Sequence, residues 1–136
     1  MKRKLTIPCS KSKLGEIRAF VNDILMENRV PELESHKLVL AIDEVCANLI
    51  IHSNNCDPRE KLELLVDFRK GDRISFVIRD RGVSFDISRY KEPSMDEIIA
   101  SKRKGGLGLM LVKRIMDEIE FTTENNYNIC RLIKKL

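Results

Sequence analysis

Two alternating runs, "KLELLVDFRK" and "RISFVIRD", are separated only by Gly71 and Asp72, and they constrain this 136-residue chain more than any other feature. Successive side chains of a strand point to opposite faces, so the alternation and the short polar turn predict an antiparallel hairpin. A second hairpin, "EIEFTTE" and "NICRLIKKL" around the turn "NNYN", closes the chain, and "KLTIP" near its start reads as a short edge strand stopped by Pro8. Ser10 caps a predicted helix running to about Asn28, because Leu14, Ile17, Phe20, Val21, Ile24 and Leu25 recur at helical spacing. The stretch "VPELES" breaks it, and a second helix is expected from about Glu32 to Ser53, ending in the polar loop "HSNNCDPRE". A third is expected over Leu107 to Asp117, with Leu107, Leu111, Ile115, Val112 and Met116 on its inner side. Hairpins separated from helices in the order β α α β β, irregular segment, α β β imply an α+β two-layer sandwich, its mostly antiparallel sheet covered by helices on one face.

The length bounds a single domain, residues 1–136, large enough to bury a core without disulfides or metals. Cys9, Cys46, Cys56 and Cys130 are widely spaced with no C-x-x-C, which predicts reduced, mostly buried thiols. The basic start "MKRKLTIPCSKS" is followed by no long apolar stretch, so neither a signal peptide nor a membrane span is expected, and the expected location is the cytoplasm. The net charge of +4 is spread over short groups and aromatic residues make up only 5%, a pattern that argues against direct nucleic-acid binding.

Three short segments carry the chemistry. In "LAIDEVCANLIIHS", a helix apolar around most of its circumference keeps Glu44 and Asn48 one turn apart, and burying such groups costs several kcal/mol, on the order of that for any unpaired charge, unless something compensates. In "RDRGVSFD", Asp80 ends an apolar strand and Gly82 follows two residues later, an arrangement that alone is also an everyday turn. In "KRKGGLGLML", the cations Lys102, Arg103 and Lys104 precede Gly105, Gly106, Leu107 and Gly108 at the mouth of a helix. Free N–H groups and a positive helix end there suit phosphate, while the same run is equally a glycine hinge beside a solvated basic stretch. The segment from about Tyr90 to Gly106 is longer than a compact domain needs for a connection and is a candidate lid loop.

Taken in this order, the three segments resemble the N, G1 and G2 boxes of the GHKL superfamily of ATP-binding proteins, whose architecture is the Bergerat fold, with a mixed, mostly antiparallel sheet. The whole chain, residues 3 to 136, is most similar to the anti-sigma-factor serine/threonine kinases. That resemblance implies ATP and Mg²⁺ as ligands, with Asn48 supplying an oxygen to the metal and Glu44 taking the proton from an attacking hydroxyl. Asp80 would accept from the amine of adenine, Gly82 would let the base lie close, and Gly105, Gly106, Leu107 and Gly108 would wrap the phosphates. One of Lys102, Arg103 and Lys104 would neutralise the terminal phosphate as the lid orders. The implied partners are an anti-anti-sigma (STAS-domain) protein and a sigma factor or other regulator, with a homodimer formed through the first strand and helix. A nucleotide-binding module of the same fold without kinase activity is the alternative. His52 is expected to pack or hydrogen-bond, and His36 to lie on the surface.

Overall fold

A computed structural model describes residues 1–82 and 105–136. The five strands are β1 (Lys2–Pro8), β2 (Lys61–Arg69), β3 (Arg73–Asp80), β4 (Glu118–Glu124) and β5 (Tyr127–Lys135). They form one sheet in the order β1-β2-β3-β5-β4, and every neighbouring pair is antiparallel, so the mixed pairing expected of the sheet is not found among the described residues. Both hairpins impose that direction on their own strands, and β1 and β5 each run opposite to the strand they join. Register follows the turns. Gly71, at φ 73°, closes the loop between the paired Arg69 and Arg73. Asn125 and Asn126, at φ 52° and 66°, make a two-residue turn between Glu124 and Tyr127, shorter than the "NNYN" expected. Two successive positive φ values match the right-handed twist of the flanking strands, and asparagine tolerates them better than most residues.

Alternation then sorts the side chains. Leu62, Leu64, Val66 and Phe68 of β2, Ile74, Phe76 and Ile78 of β3, and Cys130 and Leu132 of β5 are buried on one face. Asp80 keeps the same phase as Ile78 and therefore ends this apolar face rather than the polar one. Cys9, Cys46 and Cys130 are buried and all four cysteines are free thiols.

The helices cover that face. Ser10 caps, but what it caps is a short 3-10 turn, Lys11–Lys13: its Oγ accepts from the Ser12 N–H at 3.4 Å, and helix α1 follows over Leu14–Glu27. Helix α2 (Glu32–Asn48) packs against both α1 and α3 (Gly105–Ile115), which makes it the middle helix and explains its apolar circumference. Leu38, Ala41, Ile42, Val45 and Cys46 are buried between its neighbours and the sheet, whereas Leu40, 42% exposed, faces out. The α-helix stops at Asn48, five residues short of the expected end; Leu49–Ser53 continue as a π turn in which the Asn54 N–H reaches back to the Leu49 carbonyl. Helix α3 begins two residues before the expected Leu107 and ends at Ile115, two short of the expected Asp117; Val112 is buried, as is Met116 just after the helix, while Leu111 is exposed, contrary to the expected inner face. Tyr90 to Lys104, the body of the expected lid, lie outside the described residues. Among those described, no helix is long and apolar enough to cross a membrane.

The end of α1 holds one strained residue. Val30 N–H donates to the Leu25 carbonyl and Arg29 N–H to the Met26 carbonyl, the paired bonds of a Schellman ending, which places Arg29 in the left-handed region at φ 58°. Glycine is favoured at that position because a Cβ costs about 1–2 kcal/mol there, partly offset by the greater freedom of an unfolded glycine. Arg29→Gly should therefore stabilise the fold by about 0.5–1 kcal/mol, read as a higher midpoint in denaturant unfolding. An unchanged or lower midpoint would contradict the strain.

Candidate functional site

The carboxyl half of α2, through Cys46, and the carboxyl end of β3, through Asp80, share Cys9 and Cys130 as neighbours in the core. Glu44 and Asn48 are one turn apart on α2, so they share a face. Glu44 is half-buried rather than enclosed: it lies on the side of α2 that also carries the exposed Leu40. Burial pushes its carboxyl above the ordinary range, and the neighbouring Asp43 adds to the shift. Asp43 itself is tied at 2.9 Å to Arg18 of α1. Asn48 is buried, and its side-chain nitrogen has no hydrogen-bond partner among the described residues. Directly after it comes the π turn, a widened stretch of helix that occurs often where a side chain must be re-aimed. His52, in that turn, is exposed, so the packing role expected of it is not what the structure gives, and His36 is exposed as expected.

Asp80 is 1% exposed. Its Oδ1 accepts from the Gly82 N–H at 2.8 Å and from the Asn128 side-chain amide at 3.1 Å; the same amide donates to the Gly82 carbonyl at 2.7 Å. The Asp80–Gly82 turn is thus clamped by a residue of the last strand. The second carboxylate oxygen, Oδ2, is buried and has no hydrogen-bond partner among the described residues. A buried acceptor left without a donor costs about 1–3 kcal/mol, more when charged, so this arrangement favours a ligand that brings an N–H. The charge is felt nearby. The Cys130 thiol is pushed up to about 12 and the Cys9 thiol to about 11, in both by burial first and then by Asp80, so each remains a neutral thiol.

Asn128 was not singled out by sequence reasoning. Its only signal is phase: it shares the inward side of β5 with Cys130 and Leu132, and the register sets it opposite Asp80. On the outward side of the same strand ends, the Arg79 and Arg81 guanidiniums each lie 4.5 Å from the Tyr127 ring centre, and Arg81 donates to the Tyr127 hydroxyl at 2.7 Å.

Gly105, Gly106, Leu107 and Gly108 form the first turn of α3 rather than a loop ahead of it. The first N–H groups of a helix have no acceptor within it, so the start of the "GGLG" run supplies free donors. Lys102, Arg103 and Lys104 lie outside the described residues.

The family model of the histidine kinase-like ATPase domain matches residues 7–134. Among curated proteins, the serine-protein kinase RsbW of Bacillus pumilus is 26% identical over 131 residues, covering 93% of this chain and 81% of its own. RsbW of Halalkalibacterium halodurans is 27% identical over 127 residues, covering 90% and 76%. Among solved structures, the RsbU and RsbW domains of a Mycobacterium tuberculosis protein match with a TM-score of 0.71 at 14% identity, over 100% of this chain and 32% of that one. The SiaB–SiaC complex of Pseudomonas aeruginosa matches with a TM-score of 0.64 at 13% identity, over 98% and 89%. At those identities the structural matches speak for the fold.

The raised Glu44 carboxyl has a stability consequence whose sign is definite. Folding favours its protonated form, so its contribution is present at low pH and is lost as pH rises through the raised value. Glu44→Gln, neutral at all pH, should melt above the wild type at about pH 8, and the gap should close by about pH 4. Coincident melting curves at both pH values would mean that the carboxylate is fully solvated.

Proposed function

Because the chain belongs to the histidine kinase-like ATPase family, we propose that the protein is a cytoplasmic, ATP-dependent serine/threonine kinase of the anti-sigma-factor type. It transfers the γ-phosphoryl group of ATP to a serine or threonine of an anti-anti-sigma, STAS-domain protein, and in its other state holds a sigma factor or comparable regulator. The observation that carries the nucleotide part is the Asp80 carboxylate, buried at 1% exposure with one oxygen accepting two hydrogen bonds and the other without a donor among the described residues. The exocyclic amine of adenine completes it. Guanine carries a carbonyl at the same ring position and would set acceptor against acceptor, so this pairing selects ATP. Gly82 lets the base approach the turn, and the N–H groups of Gly105, Gly106, Leu107 and Gly108 receive the phosphates at the positive end of α3. Lys102, Arg103 or Lys104 neutralises the terminal phosphate.

Asn48 fits a magnesium site of the kind that travels with a nucleotide. Mg²⁺ takes oxygen ligands, keeps several waters and needs few protein groups beside the phosphates; a buried side-chain amide whose nitrogen has no partner among the described residues is free to turn its oxygen to such an ion. When bound, the ion would neutralise charge on the phosphates. Glu44, one turn away, stands on the open side of α2. Its raised pKa makes it a stronger base than a solvated carboxylate, suited to take the proton of the attacking hydroxyl while that oxygen bonds to the γ-phosphorus and ADP leaves. The curated relatives are named serine-protein kinases, which supports the kinase reading. The homodimer forms through β1 and α1; β1 is an edge of the sheet among the described residues, and strand edges are ready surfaces for association.

Incubation with radiolabelled ATP, Mg²⁺ and a cognate STAS-domain protein tests the chemistry. Glu44→Gln should leave nucleotide affinity within about twofold while lowering transfer about 10²- to 10⁴-fold. Asn48→Ala should abolish the dependence of ATP affinity on Mg²⁺. Transfer at the wild-type rate in Glu44→Gln removes it as the base, and ATP binding with no transfer by the wild type would leave a nucleotide-dependent binding module instead.

A further inference from the structure

A cavity of about 490 Å³ opens at the end of the sandwich away from Asp80. It lies between the α1–α2 connection, the β2–β3 turn and the end of β5, so the length of β3, roughly 25 Å, separates it from the carboxylate. Its volume falls in the range of about 300–1,000 Å³ in which small molecules are bound. Val30, Pro31, Phe68 and Leu136 supply apolar walls. Its side-chain charge is one-sided: Arg29, Lys70, Lys134 and Lys135 face a single carboxylate, Glu34. Glu34 is already engaged at 3.8 Å by Lys37, and Lys134 at 3.8 Å by Asp117. Arg29, Lys70 and Lys135 form no ion pair among the described residues, and all three are exposed.

Two further features bear on the same place. Arg29 occupies a left-handed position that glycine would fill without strain, and it is one of the residues that line the cavity. Strained residues that carry a charged group into a pocket are the kind of outlier from which a site is inferred. Helix α2 also starts at this wall, with Pro31 before its first turn and no side chain capping its N–H groups. Apolar walls beside three cations that form no ion pair among the described residues are complementary to one chemistry.

We propose that this cavity binds a small anionic amphiphile, a carboxylate on an apolar body of about ten carbons. The head group lies against Arg29, Lys70 and Lys135, and the apolar body against Val30, Pro31 and Phe68. Charge-assisted hydrogen bonds to the carboxylate give the affinity its dependence on the cations, and the apolar walls give its dependence on chain length. The site is separate from the nucleotide site and does not rest on kinase activity.

Sodium decanoate below its micelle concentration is the probe, with decanol and decyltrimethylammonium as the neutral and cationic comparisons, read by amide chemical shifts and calorimetry on the full chain. Decanoate should bind saturably at one site per chain and shift the amides of Val30, Phe68 and Gly71, with or without ATP. Decanol and the cation should bind at least about tenfold more weakly. Arg29→Gly should weaken decanoate about tenfold or more while raising the unfolding midpoint, which separates a lost contact from a lost fold. Lys70→Glu combined with Lys135→Glu, both on the exposed surface, should do the same without unfolding. Equal binding of the three probes, unaltered affinity in both variants, or shifts centred on Asn48 and Asp80 would each overturn the assignment. Retention on phosphatidylglycerol vesicles with no response to monomeric decanoate would overturn it in favour of a membrane surface.

Discussion

A carboxylate buried at the end of the middle strand is the constraint around which the rest is arranged. Asp80 continues the apolar phase of β3, so the sheet that makes the core also carries this charge to the core's edge. One oxygen is fixed by the Gly82 N–H and by Asn128, and the cost of the other is borne by the fold until a donor arrives. That half-satisfied state requires β5 next to β3, because only that neighbour brings Asn128 into register. Strand order is thereby tied to ligand chemistry: exchanging β5 and β4 would keep both hairpins and lose the clamp.

The second element is α2, buried on both flanks by α1 and α3 and underneath by the sheet. A helix in this position cannot move independently of its neighbours, so Glu44 and Asn48 are carried on a rigid body, which is where catalytic and binding groups are held most accurately. The widening of its last turn from α to π after Asn48 changes the direction of the chain without ending the helical run, and the Asn54 side chain holds the widened turn through the Leu49 carbonyl at 2.8 Å. Around it lie neutral thiols, Cys9, Cys46 and Cys130, which pack as small apolar groups.

Much of this was legible in the sequence because the signals were periodic. Alternation in "KLELLVDFRK" and "RISFVIRD" gave the hairpin and its faces, and helical spacing gave α1 and most of α2. What was not legible depends on contacts between distant segments. Asn128 acquires its role only through pairing 48 residues away, Leu111 is exposed because α3 meets α2 on its other side, and the π turn is held by bonds from Asn54 and Cys56 that leave no mark in the apolar pattern. The end of α1 near Asn28 was legible, but its left-handed closure was not: helix ends of this kind are read from glycine, and here Arg29 occupies the position. The all-antiparallel sheet likewise follows from how β1 and β5 join their neighbours, which local alternation does not encode.

The central claim is that the free oxygen of Asp80 is completed by one specific donor, the amine of adenine. Binding calorimetry comparing ATP with purine riboside triphosphate, which differs only in lacking that amine, isolates this contact. The account predicts that purine riboside triphosphate binds at least about tenfold more weakly to the wild-type protein, because the buried acceptor is then left unpaired. Equal affinity for the two nucleotides would contradict it.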